Sequence, residues 1–285
     1  MRILHCSDLH FACPRRIGQL RGKRWAGWLN WMLNRRYAHH HGRWTAFVQA
    51  AAADPPDAVV VTGDLAQMGS VPELEAPLLG MEALARSGAR VLYVPGNHDR
   101  YIRDPEADAR VDSLMAEFGG GQVLGPGVHR VRVKGVEFVL LDQAEPRGLL
   151  SAGGRMAPEQ WRALERFAAA APRPGAPGGP AVRVVAGHFP LCGPWGVRLP
   201  AKRCLEDAGQ LRTHLRALRA RLYLCGHLHS AYAVDLGFGC ELLCAGSLTS
   251  HGTFHEIRTD GGEVAWRRDM FPRSAGTAAT QEQAS

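Results

Sequence analysis

Short apolar runs recur along the chain, and most of them end in a polar cluster. Arg2–Cys6, Ala58–Thr62, Val91–Val94, Val182–Ala186 and Leu222–Cys225 are each four or five residues long and mostly apolar. Runs of that length and content predict strands covered on both faces. Between them, Trp44–Ala53, Pro72–Ser87, Asp108–Phe118, Pro158–Ala170 and Gly209–Ala220 space their apolar residues as helices do. Alternating strands and helices with continuously apolar strands predict sheets sandwiched by helices. Two stretches predict antiparallel pairs instead: Val128–Val133 with Val136–Leu141 around Lys134-Gly135, and His255–Thr259 with Glu263–Arg268 around Asp260-Gly261-Gly262. The expected class is a mixed two-sheet α/β fold without internal repeats.

Composition agrees with this picture. Of 285 residues 46% are hydrophobic and 21% charged, enough apolar side chain to bury a substantial core. No run of about 18 apolar residues is present, so no segment is expected to span a bilayer. Met1–Asp8 has no apolar leader core, which predicts a cytoplasmic protein. The seven cysteines form no C-x-x-C pair and several sit in apolar runs, so reduced, buried thiols are expected rather than a disulfide framework. Residues 1–270 are expected to make one domain, with Pro172–Pro180 a surface loop and 271–285 a disordered polar tail.

The charge is uneven. The net charge is +7, yet Pro14–Arg43 holds Arg15, Arg16, Arg21, Lys23, Arg24, Arg35, Arg36 and Arg43 and no acid. The rest of the chain carries 26 basic groups against 27 acidic ones, so the basicity belongs to one segment.

The candidate chemistry follows the strands. Asp8-Leu9-His10, Gly63-Asp64, Gly96-Asn97-His98-Asp99, Gly187-His188 and Gly226-His227-Leu228-His229 each come directly after an apolar run. Active sites of α/β sheets lie at strand ends, and a glycine ahead of the polar residue suits a sharp turn out of the strand. Converging carboxylate, amide and imidazole groups make an oxygen–nitrogen metal site, and the absence of cysteine from these clusters argues against a structural zinc knot. There are more donors than one ion needs. Two ions sharing a carboxylate would use them all, and two metals about 3.5–4 Å apart clamp a phosphoryl group.

With these motifs in this order, from Asp8 to His229, the chain resembles the calcineurin-like metallophosphoesterase family. The resemblance implies a two-sheet β-sandwich core flanked by helices and a metal-dependent phosphoric ester hydrolase. It implies that Asp8, His10 and His229 hold a first metal, that Asn97, His188 and His227 hold a second, and that Asp64 bridges them. His98 matches the family's non-ligand histidine, which stabilises or protonates the departing oxygen, and Asp99 would orient that imidazole. Gly63–Gln67 and Gly96–Asp99 look most like the bacterial cyclic-nucleotide phosphodiesterase branch. The ligand set accepts manganese, iron, zinc, nickel or cobalt. A small-molecule phosphodiester or pyrophosphate, nucleotide or lipid-linked, is the expected substrate. A phosphomonoesterase, a nuclease and a metal-retaining scaffold are the alternatives.

The basic segment bears on substrate. Trp25, Trp28, Leu29, Met32 and Leu33 follow i, i+3, i+4, i+7 and i+8, one apolar helical face flanked by Arg21, Lys23, Arg24, Arg35 and Arg36. Such a helix can lie on an anionic membrane surface, bringing the protein to the inner membrane, or cap the cleft and take an acyl chain or base. The alternative is a helix packed on the core with its charges solvated. Nucleic acid is disfavoured, because the basic residues sit in one helix with no aromatic platform elsewhere. His39-His40-His41 is expected to be a solvated run rather than an accessory metal site, His5, His129, His214, His251 and His255 structural, and Ala245-Gly246-Ser247 a packing turn.

Overall fold

The computed structural model describes residues 1–13, 22–35, 37–148 and 151–271. Arg15, Arg16, Arg21 and Arg36 of the basic segment, and the tail from 272 onward, lie outside the described residues.

Two mixed sheets pack face to face. The first has strand order β12-β11-β1-β2-β3, with β1 (Arg2–Cys6), β2 (Ala58–Val61) and β3 (Arg90–Tyr93) parallel, and β11 (Thr253–Asp260) and β12 (Glu263–Met270) antiparallel at its edge. The second has order β4-β5-β6-β7-β8-β10-β9. In it β6 (Val136–Leu141), β7 (Val182–Ala186), β8 (Leu222–Cys225) and β10 (Glu241–Ala245) run parallel. β4 (Gln122–Gly125), β5 (Val128–Val133) and β9 (Ala231–Asp235) pair antiparallel at its edges.

Side-chain alternation builds the sandwich. Phe138 and Leu140 of β6, Val184 of β7 and Leu222 and Leu224 of β8 share one core with Ile3, Val59 and Leu92 of the first sheet. Val139 and Leu141, Val185 and Tyr223 point the other way, under Trp161, Leu164 and Phe167 of α6 (Pro158–Ala170) and Leu211 and Leu215 of α7 (Ala208–Ala217). Both faces of these strands are therefore covered, which is why they are apolar throughout. Helices α2 (Gly42–Ala53) and α4 (Leu78–Arg86) add Trp44, Phe47, Met81 and Leu84 to the first core. No disulfide joins any of the seven cysteines.

Two expectations need correction. Pro72–Ser87 is not one helix: α3 (Val71–Glu75) ends before Pro77 and α4 restarts at Leu78, because proline cannot donate to the carbonyl four residues back. The strands β4, β9 and β10 and the short helix α8 (Leu248–His251) went unforeseen. Among the described residues no helix is long and apolar enough to cross a membrane.

Candidate metal centre

The ends of β1, β2 and β3 in the first sheet and of β7 and β8 in the second open onto the same place. Loops from both sheets are stitched together there by backbone hydrogen bonds: Asp8 N to Gly63 O at 3.0 Å, His10 N to Asp64 O at 2.9 Å and Gly226 N to His188 O at 3.0 Å. Asp8 Oδ2 also accepts the His227 N–H at 3.0 Å, joining the two sheets directly. The backbone bends hard to achieve this. Asp8, His10, Asp64, His227 and His229 all have positive φ, between 48° and 74°, a region costly for residues with a Cβ and typical of functional sites.

The glycines do a different job from the one expected. Gly63 does turn with φ near 90°, but Gly96 and Gly226 are not left-handed. A Cβ on Gly96 would stand 2.2 Å from Asp64 Oδ1, and one on Gly226 would stand 1.9 Å from Ser7 Oγ. They are glycines because a neighbouring loop occupies the side-chain space.

The donors converge in two sets. Around Asp8, the His229 Nε2 lies 3.3 Å and the His10 Nε2 3.6 Å from Oδ1, and these two nitrogens are 2.9 Å apart. Asp8, His10, Asp64 and His229 each place a ligand atom within 4.8 Å of the others, a group that could hold a cation. On the other side, His227 Nδ1 is 2.9 Å from Asn97 Oδ1. Asp64 Oδ2 stands between the sets, 3.5 Å from His10 Nε2 and 3.5 Å from His188 Nε2. His188 Nδ1 lies 2.6 Å from the Thr62 carbonyl. A carbonyl only accepts, so that nitrogen carries a proton and Nε2 is the atom turned toward Asp64.

Burial and charge show that these residues fit a cation. Asp8 and Asp64 are almost wholly buried. Burial pushes both carboxyls up, but neighbouring imidazoles outweigh it: His10, His229 and His188 for Asp8, and His188, His98 and His10 for Asp64. Both end well below the usual carboxylate range. Burial pushes His188 down, yet the Asp64 charge overrides it and lifts the imidazole to about 10. Burial and the His188 charge drive His227 down to about 3. The anions thus require positive charge beside them, which a bound cation would supply instead of a proton. Asp8 Oδ1, His188 Nε2 and His227 Nε2 are buried without a well-aligned hydrogen bond, the condition of atoms awaiting a ligand.

His98 and Asp99 part company. His98 lines a cleft of about 290 Å³ with Asp64, Asn97, Ala152, Arg203, His227, Leu228 and His229. Its Nδ1 is 2.6 Å from the Gln67 carbonyl, and its backbone N–H donates to Asp64 Oδ1 at 2.8 Å. Asp99 does not orient this ring, contrary to expectation. Its carboxylate accepts from the backbone N–H groups of Asp64, Ala66 and Gly96 and from the Tyr93 hydroxyl, all at 2.9 Å. Burial and the nearby Asp64 charge raise it to about 7. Asp99 ties the two loops together, and the Gln67 carbonyl holds the imidazole.

Three further features escaped the sequence. Arg203 brings a cation to the cleft rim from a short 3-10 helix, Ala201–Arg203, with no legible pattern. Ser247 Oγ and Thr249 Oγ1 donate to the Asp8 carbonyl at 2.8 and 3.2 Å. The histidine run is no solvated tract: His41 stacks on Phe11 with ring centroids 4.1 Å apart, and His39 reaches to 4.7 Å from His10.

Residues 1–231 match the sequence model of the family described as calcineurin-like phosphoesterase. The chain belongs to that family. It is a metal-dependent phosphoric ester hydrolase, and its aspartate–histidine cluster could hold a divalent ion. No curated protein matches the chain. Among solved structures it is similar to a dimetal phosphatase from Danio rerio, at 12% identity and a TM-score of 0.55, covering 93% of this chain and 98% of that one. It is also similar to a purple acid phosphatase from yellow lupin seeds, at 12% identity and a TM-score of 0.56, covering 94% of this chain and 51% of that one. The sulfate thiohydrolase SoxB of Thermus thermophilus aligns at 15% identity and a TM-score of 0.50, covering 95% of this chain and 56% of that one. At these identities the likeness is one of fold, and a fold does not choose the ester.

Proposed function

We propose that this calcineurin-like phosphoesterase hydrolyses a small-molecule phosphodiester or pyrophosphate, and that the lipid-linked members of that class suit it best. In this reading Asp8, His10 and His229 hold one divalent ion, Asn97, His188 and His227 hold another, and Asp64 is shared. The observation that carries it is the placement of Asp64 Oδ2, equally close to an imidazole of each set. Two divalent ions bound there would make hydroxide available near neutral pH and offset the charge of the phosphate.

The chain's own groups do the rest. The Gln67 carbonyl accepts the Nδ1 proton of His98, so a protonated His98 presents Nε2–H to the leaving oxygen in the cleft. Arg203 at the rim offers a guanidinium to a phosphate or carboxylate of the substrate. The Asp99 staple and the Ser247 and Thr249 hydroxyls hold the donor loops still, so the site is arranged before substrate arrives.

The basic segment favours an amphipathic substrate. Its helix α1 (Lys23–Asn30) turns its basic side inward. Arg24, only 4% exposed, donates to the Met68 carbonyl at 3.0 Å and to Asp104 Oδ2 at 2.7 Å. Lys23 Nζ reaches the Ser151 carbonyl at 3.2 Å. Trp25, Leu29 and Leu33 are left 45–67% exposed. Lys23 and Arg24 are held by the domain rather than solvated, unlike the charges of a helix merely packed on the core. Apolar side chains facing water beside a phosphoesterase cleft suit an acyl chain or a membrane surface. The same geometry disfavours a nuclease, since Lys23 and Arg24 are not presented to a phosphate backbone.

The test is hydrolysis of nucleotide, lipid-linked and monoester substrates by manganese-loaded protein, set beside Asp64→Ala. Turnover of diesters or pyrophosphates with loss of all activity in Asp64→Ala is expected. Undiminished turnover by that variant rejects the shared-carboxylate site, and exclusive turnover of monoesters rejects the substrate class.

A further inference from the structure

The basic segment also ends in a histidine that faces the metal centre. One nitrogen from each of His10, His39 and His229 lies within 4.8 Å of the others. Two nitrogens on opposite sides of an ion with bonds of about 2.1 Å stand about 4.2 Å apart. The three imidazole nitrogens are thus near the spacing of ligands to one ion. His10 and His229 also belong to the group completed by Asp8 and Asp64. His39 is therefore an addition to that group and comes from a segment unrelated to the five strand-end motifs.

The surroundings prepare His39 for coordination. Its Nδ1 lies 2.8 Å from Thr249 Oγ1 and 3.0 Å from Ser250 Oγ. The single Thr249 hydroxyl proton is directed to the carbonyls of Leu9 and Asp8, at 2.9 and 3.2 Å. With Thr249 donating to these carbonyls it accepts from His39, an arrangement that puts the ring proton on Nδ1 and the lone pair on Nε2. A metal-ligating histidine whose other nitrogen donates to a fixed acceptor is the usual outer-shell arrangement. The backbone is anchored too. His40 N donates to the Thr249 carbonyl at 3.0 Å, and the Arg43 guanidinium donates to the carbonyls of Thr249 and Ser250. Helix α8 thus holds the Asp8 loop with one set of bonds and His39 with another.

We propose that His39 is a third imidazole ligand to the ion held by Asp8, His10 and His229, making that position nitrogen-rich and selective for zinc, iron, cobalt or nickel over manganese. This rests on the metal site of the proposed function and deepens it. Carboxylate and water suit manganese, while each added imidazole shifts preference toward the borderline cations. The companion position, with one amide oxygen and two imidazoles besides Asp64, gains nothing from His39.

The experiment is a cobalt(II) titration of metal-free, full-length protein against a competing chelator, followed by visible absorption and repeated with zinc and manganese. Wild type is compared with His39→Ala, His39→Gln and Asp64→Ala. Melting of the metal-free proteins checks that each is folded, and His39→Gln keeps side-chain bulk in case alanine does not. The expected result is two bound ions in wild type, with one of them weakened at least roughly tenfold in both His39 variants. Its cobalt band should shift, and the zinc-over-manganese preference at that position should fall. Identical affinities and superimposable cobalt spectra in wild type and both variants overturn the role of His39. Wild-type affinity for both ions in Asp64→Ala overturns the shared-carboxylate reading while leaving the His39 comparison intact. Failure of folded wild type to take up any ion overturns both.

Discussion

The floor of the cleft and the helix at its edge solve opposite problems. At the floor, polar residues are buried at the ends of apolar strands, and five of them accept left-handed backbone to aim their donors inward. At the edge, helix α1 buries an arginine and leaves tryptophan and leucine in water. The floor holds polar groups inside because they face one another. The edge holds Arg24 inside because two carbonyls and Asp104 await it. Burial follows the available partner rather than the hydropathy of the residue.

The contrast can be tested, starting from the floor. His98→Ala should lower kcat by roughly 10²–10⁴ while leaving bound metal unchanged. The loss should shrink for an ester with a good leaving group, which needs no proton. Equal losses for good and poor leaving groups would show that His98 does not serve the departing oxygen.

At the edge, Arg24→Ala should cost about 3 kcal/mol locally, because buried acceptors lose their charged donor. Amide exchange over Lys23–Asn30 measures this. Protection equal to wild type would mean the helix is held by something other than Arg24.

A third effect belongs to neither region and serves as their reference. His255 is buried against His5, with their Nδ1 atoms 3.3 Å apart. Burial, with the Arg268 charge, lowers His255 from 6.5 to about 4. The unfolded chain therefore binds a proton between those values that the folded chain refuses. The contribution of His255 to stability is complete above about pH 6.5 and is lost as pH falls toward 4, by roughly 3 kcal/mol at most. Melting of metal-free protein across that range should show the decline and its reduction in His255→Phe; parallel profiles would refute it.

The smallest effect is expected on the outer face of the helix. Leu29→Glu should weaken liposome association and raise KM for a lipid-linked ester several-fold, with a water-soluble ester hydrolysed as before. Unchanged partitioning and unchanged KM would leave the exposed stripe without a lipid role.

Most of the fold was legible in the chain. The ranges Arg2–Cys6, Val128–Val133, Val136–Leu141, Pro158–Ala170, Val182–Ala186 and Leu222–Cys225 were read to the residue, because each is a run with one period and a clear stop. That Asp8, His10, Asp64, Asn97, His98, His188, His227 and His229 would come near one another was legible for a related reason: each follows a strand closely, so its position depends on few neighbours. Asp99 was misread, since sequence adjacency to His98 suggested contact while the chain turns the two side chains to different partners. Arg203 reached the cleft, and His39 the neighbourhood of His10, from segments with no strand to announce them.

What the amino-acid order determined by itself is therefore local: the period of each element, the donor at each strand end and the place of the excess charge. Which side of helix α1 faces inward, what Asp99 ties down and how near His39 comes to the donors were decided only when distant segments met. An apolar period says that a helix has two sides, but the partner groups waiting beneath it settle which side is buried.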